Sequence, residues 1–183
     1  MEWDRAEVAG RLEFLRRTDP GFTWFGSSAH RYSLNQPLTA PEVTAFETRH
    51  GVSLPEDYRA FLLEVGDGGA GPFYGLFRLD RSDLSGWNDS DLLPGFLAGT
   101  FPHTRPWNEL DDEVQDEHVD PTPILGSLNL SHQGCGYMVR LVLNGPQRGT
   151  LWQDGRSSDM GITPFAPDFP TWYLRWLRDP KPR

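Results

Sequence analysis

The sequence predicts an α+β fold in one domain, residues 1–183, and three observations carry the prediction. First, residues 54–79, LPEDYRAFLLEVGDGGAGPFYGLFRL, read as helix, glycine loop and strand in succession. Second, residues 136–143 are a nearly continuous apolar run and the strongest β signal in the chain. Asn144-Gly145 then signals a turn, and 149–152 resume a strand, which together make an antiparallel hairpin. Third, seven Trp, eleven Phe and five Tyr in 183 residues supply bulky core material, while the 19 Gly and 16 Pro call for many loops. A chain of this length buries about 70% of its extended surface, enough for a core without metals or disulfides.

Each element has a local cause. Residues 3–17 form a first helix, with Val8, Leu12 and Leu15 near one face, and Thr18-Asp19-Pro20-Gly21 stops it. Residues 22–38 lack a clean period and are expected to lay Phe22, Trp24, Phe25 and Tyr32 over the core. Thr39-Ala40-Pro41-Glu42 is a capping box, in which hydroxyl and carboxylate each satisfy a backbone N–H. Val43, Phe46 and His50 follow at helical spacing, and Gly51 closes that helix. Pro55 suits the first turn of the next helix, where its missing N–H costs nothing. Tyr58, Phe61, Leu62 and Val65 recur at i, i+3, i+4, i+7, and Gly66 is expected to end the run in a left-handed conformation. The two helices make a hairpin whose apolar faces cover a sheet beginning at Tyr74.

Beyond the glycine loop, Asp80-Arg81-Ser82-Asp83 reads as a turn, and residues 92–97 as an apolar patch broken by Pro94 and Gly95. The segment 109–120 is acidic. As a helix it would place Glu109, Asp112, Glu113, Asp116 and Glu117 on one face, with like charges at i,i+4 opposing it by about 0.2–0.5 kcal/mol per pair. A loop satisfies the same residues, and both readings stay open. Residues 124–130, 136–143, 149–152 and 162–165 read as strands. Residues 169–177 form a last helix with two adjacent apolar rows, Trp172/Trp176 and Tyr173/Leu177, which is therefore expected to be largely buried.

Several chemistries fit poorly. The glycines Gly66, Gly68 and Gly71 match G-x-G-x-x-G, but the dinucleotide version needs a strand before them and a helix after, and here the order is reversed. No Lys-Ser or Lys-Thr follows for a P-loop, so a tight reversal is the expectation. The single Cys135 leaves no disulfide and no Cys-x-x-Cys. His30, His50, His103, His118 and His132 make no helix-borne metal motif. His132 and Cys135 are three apart, but a thiol nucleophile needs an oriented imidazole, and a buried inert thiol is the plainer expectation. No serine sits in G-x-S-x-G. A net charge of −9 opposes binding to a phosphate backbone and suits a basic protein partner, although keeping the chain soluble is by itself the plainer reason for it. No stretch approaches the ~20 apolar residues of a membrane span and no leader is apparent, so a cytoplasmic protein is expected.

These segments together resemble the SUKH superfamily, the Smi/Knr-like cell-wall-assembly regulator domain. Leu54, Pro55, Asp57, Tyr58, Phe61, Leu62, Gly68, Gly69, Tyr74, Gly75, Leu76 and Phe77 carry the first part of the resemblance. Gly134-Cys135-Gly136, Leu143, Asn144-Gly145-Pro146, Gly149 and Trp152 carry the second, and the aromatic helix at Trp172 and Trp176 agrees. The core of the signature runs over about residues 39–178. The resemblance implies a twisted, mainly antiparallel sheet flanked by helices, with no cofactor and no metal. Bacterial members of that superfamily are regarded as immunity proteins that neutralise a cognate toxin, and fungal relatives as non-enzymatic interaction hubs. The expectation for this chain is a non-catalytic protein-binding module, an immunity protein whose partner is a basic toxin domain. A regulatory or small-ligand-binding scaffold using the cleft near the glycine loop is the alternative. The expected partner surface is Trp107 with Glu109, Asp111, Asp112, Glu113, Asp116 and Glu117, where an aromatic anchor adjoins charges that set orientation.

Overall fold

A computed structural model describes residues 3–80, 94–108 and 121–180. The elements are α1 (Arg5–Thr18), a single-turn α2 (Ser27–His30), α3 (Ala40–His50), α4 (Glu56–Glu64), β1 (Ser127–Gly134), β2 (Tyr137–Val142), β3 (Leu151–Asp154), β4 (Ile162–Ala166) and α5 (Phe169–Arg178). The fold is α+β. The four strands form an antiparallel meander in the order β1-β2-β3-β4.

The caps act locally, as the residue types require. Asp4 accepts from the Glu7 N–H at the head of α1, and the Thr39–Glu42 box closes in both directions at α3. Gly51 ends α3 in the left-handed region, at φ 65°. β1 and β2 turn through Cys135-Gly136, both at positive φ, whose twist matches that of the paired strands.

Both faces of β2 are covered, so Met138, Val139, Leu141 and Val142 are all buried. Asn129, Arg140, Trp152 and Asp154 share one face, because Asn129 pairs with Arg140, Arg140 with Trp152, and Asp154 lies two residues on. Residues 96–107 cover that face: Phe101 and His103 pack on Trp152 with ring centroids 5.1 and 6.2 Å away. Its charged groups are hydrogen-bonded. Arg140 Nε donates to the Ser127 hydroxyl at 2.8 Å, and Arg156 Nε to Asp154 at 2.9 Å. The opposite face, with Leu128, Leu141 and Leu151, joins one apolar cluster with Phe61, Phe169 and Tyr173 of the helices. In that cluster Phe61, Phe169 and Tyr173 meet with centroids 4.9–5.7 Å apart.

The structure departs from five expectations. Gly66 is not left-handed; α4 is capped by Val65, and glycine is needed because a Cβ would stand 2.8 Å from the Asn35 carbonyl oxygen. Residues 74–79 are not a regular strand. They meet β1 through a single bridge, Leu76 to Ser131, and two more bridges, Gly69 to Leu76 and Leu34 to Gly69, extend the row beyond it. The strand expected at 124–130 begins at Ser127, because Thr122–Ile124 is a 3-10 turn and Gly126 has φ 65°. Phe25 is not a core cover; it is 47% exposed. Cys135 is exposed on the hairpin turn, not buried. The turn expected at 80–83 and the patch at 92–97 fall partly outside the described residues; within the described part of the patch, Phe96 and Leu97 are buried.

Candidate functional site

An apolar groove of about 370 Å³ lies between α5, the end of β4 and the loop that follows the glycines. Helix α5 forms one wall. Asp168 accepts from the Thr171 N–H at 2.7 Å and starts the helix, with Pro170 in its first turn. Phe169, Tyr173 and Leu177 point into the core, and the Tyr173 hydroxyl, fully buried, donates to the Ala70 carbonyl oxygen at 3.1 Å. That bond, the packing of Phe169 and Tyr173 on Phe61, and the bonds from Arg11 to the Leu177 and Arg178 carbonyl oxygens together set the rotation of the helix. It turns the neighbouring row, Trp172 and Trp176, toward the groove, with Thr171, Arg175 and Asp179 along its rim. Phe165 and Ala166 of β4 supply the opposite wall.

Pro72 and Phe73 close one end. Phe73 has φ 56°, a conformation rare for a bulky residue. It is held there from outside: Gly26, itself at φ 76°, packs so closely that a Cβ would lie 1.7 Å from the Phe73 carbonyl oxygen. The same contact sets Phe25 against Tyr74, with centroids 5.2 Å apart, and Tyr74 stacks on His132 at 5.5 Å. Phe25 and Tyr74, 47% and 42% exposed, thus form a continuous aromatic surface beside the groove. Strain retained at an exposed aromatic cluster points to recognition.

A second layer holds this surface. The His30 ring meets Trp176 edge-on at 5.6 Å, and its Nδ1 accepts from the Tyr32 N–H at 3.0 Å. Burial lowers the His30 pKa to about 4, so the ring is neutral and its Nδ1 stays an acceptor. Asp19 is the anchor beneath. Burial alone would raise its pKa, but bonds from the Thr23 and Trp24 N–H groups and from the Tyr32 and Thr23 hydroxyls outweigh that and hold it well below the usual carboxylate range. In return, burial first and Asp19 second push the Tyr32 hydroxyl up to about 12.

The residues expected to act lie elsewhere. Trp107 is half-buried at the outer edge of β4, exchanging backbone bonds with Ile162 at 2.9 and 2.7 Å, its ring 5.0 Å from that of His103. Glu109, Asp111, Asp112, Glu113, Asp116 and Glu117 lie outside the described residues. His132 is turned onto Tyr74, and burial lowers its pKa. Among the described residues no group of three or more His, Cys, Asp or Glu side chains could hold a metal ion. Of the signature positions, Leu54, Tyr58 and Trp152 are core, and Gly68, Gly69, Gly75 and Gly145 all have positive φ. Asn144 donates to the Leu97 carbonyl oxygen at 2.7 Å. Pro55 is the N-cap of α4. The sequence did carry one signal for the groove. The two adjacent apolar rows of α5 make a stripe wide enough to bury one edge in the core and leave the other, at Trp176, beside the groove.

A family model described as SMI1 / KNR4 family (SUKH-1) matches residues 37–175, well over half of the chain. No curated protein matches it. Phe25 and Gly26 precede the matched residues, and Trp176 and Asp179 follow them.

Proposed function

The chain belongs to the SMI1 / KNR4 family (SUKH-1), and from that premise we propose that it is a non-catalytic protein-binding module, an immunity protein that holds a basic toxin domain and blocks it. The observation that carries the reading is the charge distribution. Seven of the twelve residues in 109–120 are Asp or Glu, with no Lys or Arg among them, in a chain of net charge −9. The run begins immediately after Asn108, whose neighbour Trp107 is pinned to β4. An acidic run draws in a cationic partner, and the aromatic side chain two residues before it in sequence gives that partner an apolar anchor. A toxin that acts on a polyanion carries cations at its own active site, and the acidic run would occupy them. No helix among the described residues is long and apolar enough to cross a membrane. The work is expected in the cytoplasm, where such toxins act.

Co-purification with the product of the neighbouring gene, and protection of cells expressing that product, test the reading. No complex and no protection would sink it. A second reading, a regulatory or small-ligand-binding scaffold, is favoured by Pro72 and Phe73, which line the groove and adjoin the glycine loop. A small molecule that raised the melting temperature, in a chain that protected no cell, would select it.

A further inference from the structure

The groove has apolar walls and one charge without a partner. Trp172, Trp176, Phe73 and Phe165 line it, and Phe25 extends it across the surface. Of the two charged residues on its rim, Asp179 has an interaction of its own, whereas the Arg175 guanidinium makes no ion pair or hydrogen bond among the described residues. Arg175 is exposed and stands one helical turn beyond Thr171, directly beside the indole row. Exposed on the rim beside aromatic rings, this guanidinium offers a place for a carboxylate brought from outside. Arginine and tryptophan are also the side chains that most often carry binding energy at protein interfaces.

We propose that this groove docks an extended segment of a partner protein in which an aromatic or large aliphatic side chain adjoins a carboxylate. The apolar side chain enters between the α5 indoles and Phe165, and the carboxylate pairs with Arg175. The geometry is ready beforehand. Gly26 locks the 72–74 loop, Tyr173 locks the rotation of α5, and the His30 ring backs Trp176, so little order is lost on binding. The groove also joins the sheet edge that carries Trp107. Ile162 and Phe165 are three residues apart on β4, about 10 Å at the rise of a strand. One partner can therefore touch both surfaces, but the groove's chemistry does not depend on that partner being a toxin.

Three fluorescein-labelled nonapeptides with glycine–serine flanks and Asp-Phe, Asn-Phe or Lys-Phe at the centre test this by fluorescence polarisation on the full chain. The Asp-Phe peptide is expected to bind about five- to tenfold more tightly than the Asn-Phe peptide and to outcompete Lys-Phe by more. Arg175→Glu, at an exposed site that leaves the fold intact, should reverse the order so that Lys-Phe binds best. Phe25→Ala should weaken all three while leaving the melting temperature unchanged. Absence of binding at millimolar peptide, equal binding of the three peptides, or an order unmoved by Arg175→Glu each overturns the proposal. A small molecule that binds the groove while no peptide does would overturn it in favour of a ligand site.

Discussion

Gly26 shows how one position can hold a surface in place. Its φ of 76° and its contact with the Phe73 carbonyl are both closed to a residue with a Cβ. Gly26→Ala is expected to cost about 3 kcal/mol, combining left-handed strain with overpacking, and to release the 72–74 loop. A urea titration reads the stability, and an unchanged midpoint would show that the contact is not needed. His30 sets a pH response. Its pKa falls from the ordinary 6.5 to about 4 in the fold, because burial disfavours the charged ring. The neutral ring's contribution is complete above pH 6.5 and is lost as pH falls toward 4, since the unfolded chain takes up the proton first. The loss amounts to roughly 3 kcal/mol over that window, since a tenfold change in proton affinity is worth about 1.4 kcal/mol. His103 and His132, also lowered by burial, act in the same direction. Melting temperatures of the native chain and of His30→Gln between pH 7 and 4 check this, and the variant should show the shallower fall. Parallel curves for the two would refute the assignment.

At the scale of the element, α5 has the most to explain. Its inner row is held by aromatic packing with Phe61 and by the bond from Tyr173 to Ala70, across 103 residues of chain, while Arg11 of α1 donates to the Leu177 and Arg178 carbonyl oxygens at its end. Tyr173→Phe keeps the packing and removes only the donor, leaving a buried carbonyl without it. The expected loss is about 1–2 kcal/mol, with a weaker groove as α5 loses its tie to the glycine loop. Denaturant midpoints and the peptide assay check the two effects together; normal stability and normal binding would dismiss the bond's role. The β1–β2 hairpin behaves differently. Its turn, Cys135-Gly136, needs left-handed residues for local reasons alone, and the cysteine is merely carried there with an exposed thiol. The 3-10 turn after β3 leans on it, through the Ser157 hydroxyl donating to the Cys135 carbonyl oxygen at 2.9 Å.

For the whole molecule, the expected signature is electrostatic. A partner drawn by residues 109–120 should associate more slowly as salt rises, because screening shortens the reach of the acidic run. Replacing Glu109, Asp111, Asp112, Glu113, Asp116 and Glu117 by their amides should slow association by about tenfold and flatten its salt dependence, with the dissociation rate little changed. Stopped-flow or surface-plasmon rates measure this. A loss confined to dissociation would move the binding energy to the groove, and an unchanged association rate would remove the acidic run from recognition. The two surfaces thus separate by kinetics, one in the approach and the other in the residence.

What the sequence determined by itself is whatever a few neighbouring residues decide. The Thr39–Glu42 box, the i, i+3, i+4 rows of α3 and α4, the Asn144-Gly145 turn and the β2–β3 pairing depend on spacing within one segment. What only the tertiary structure decided concerns residues far apart in the chain. Gly66 looked like a cap, but Asn35 dictates it; Phe25 looked like a cover for the core, but Gly26 and Phe73 hold it at the surface. Trp172 and Trp176 were visible as a row, yet their direction depends on where Tyr173 finds its acceptor, and no local pattern carries that information. Backbone preference is a property of neighbours in sequence, whereas exposure is a property of neighbours in space, and a binding groove is made of the second kind.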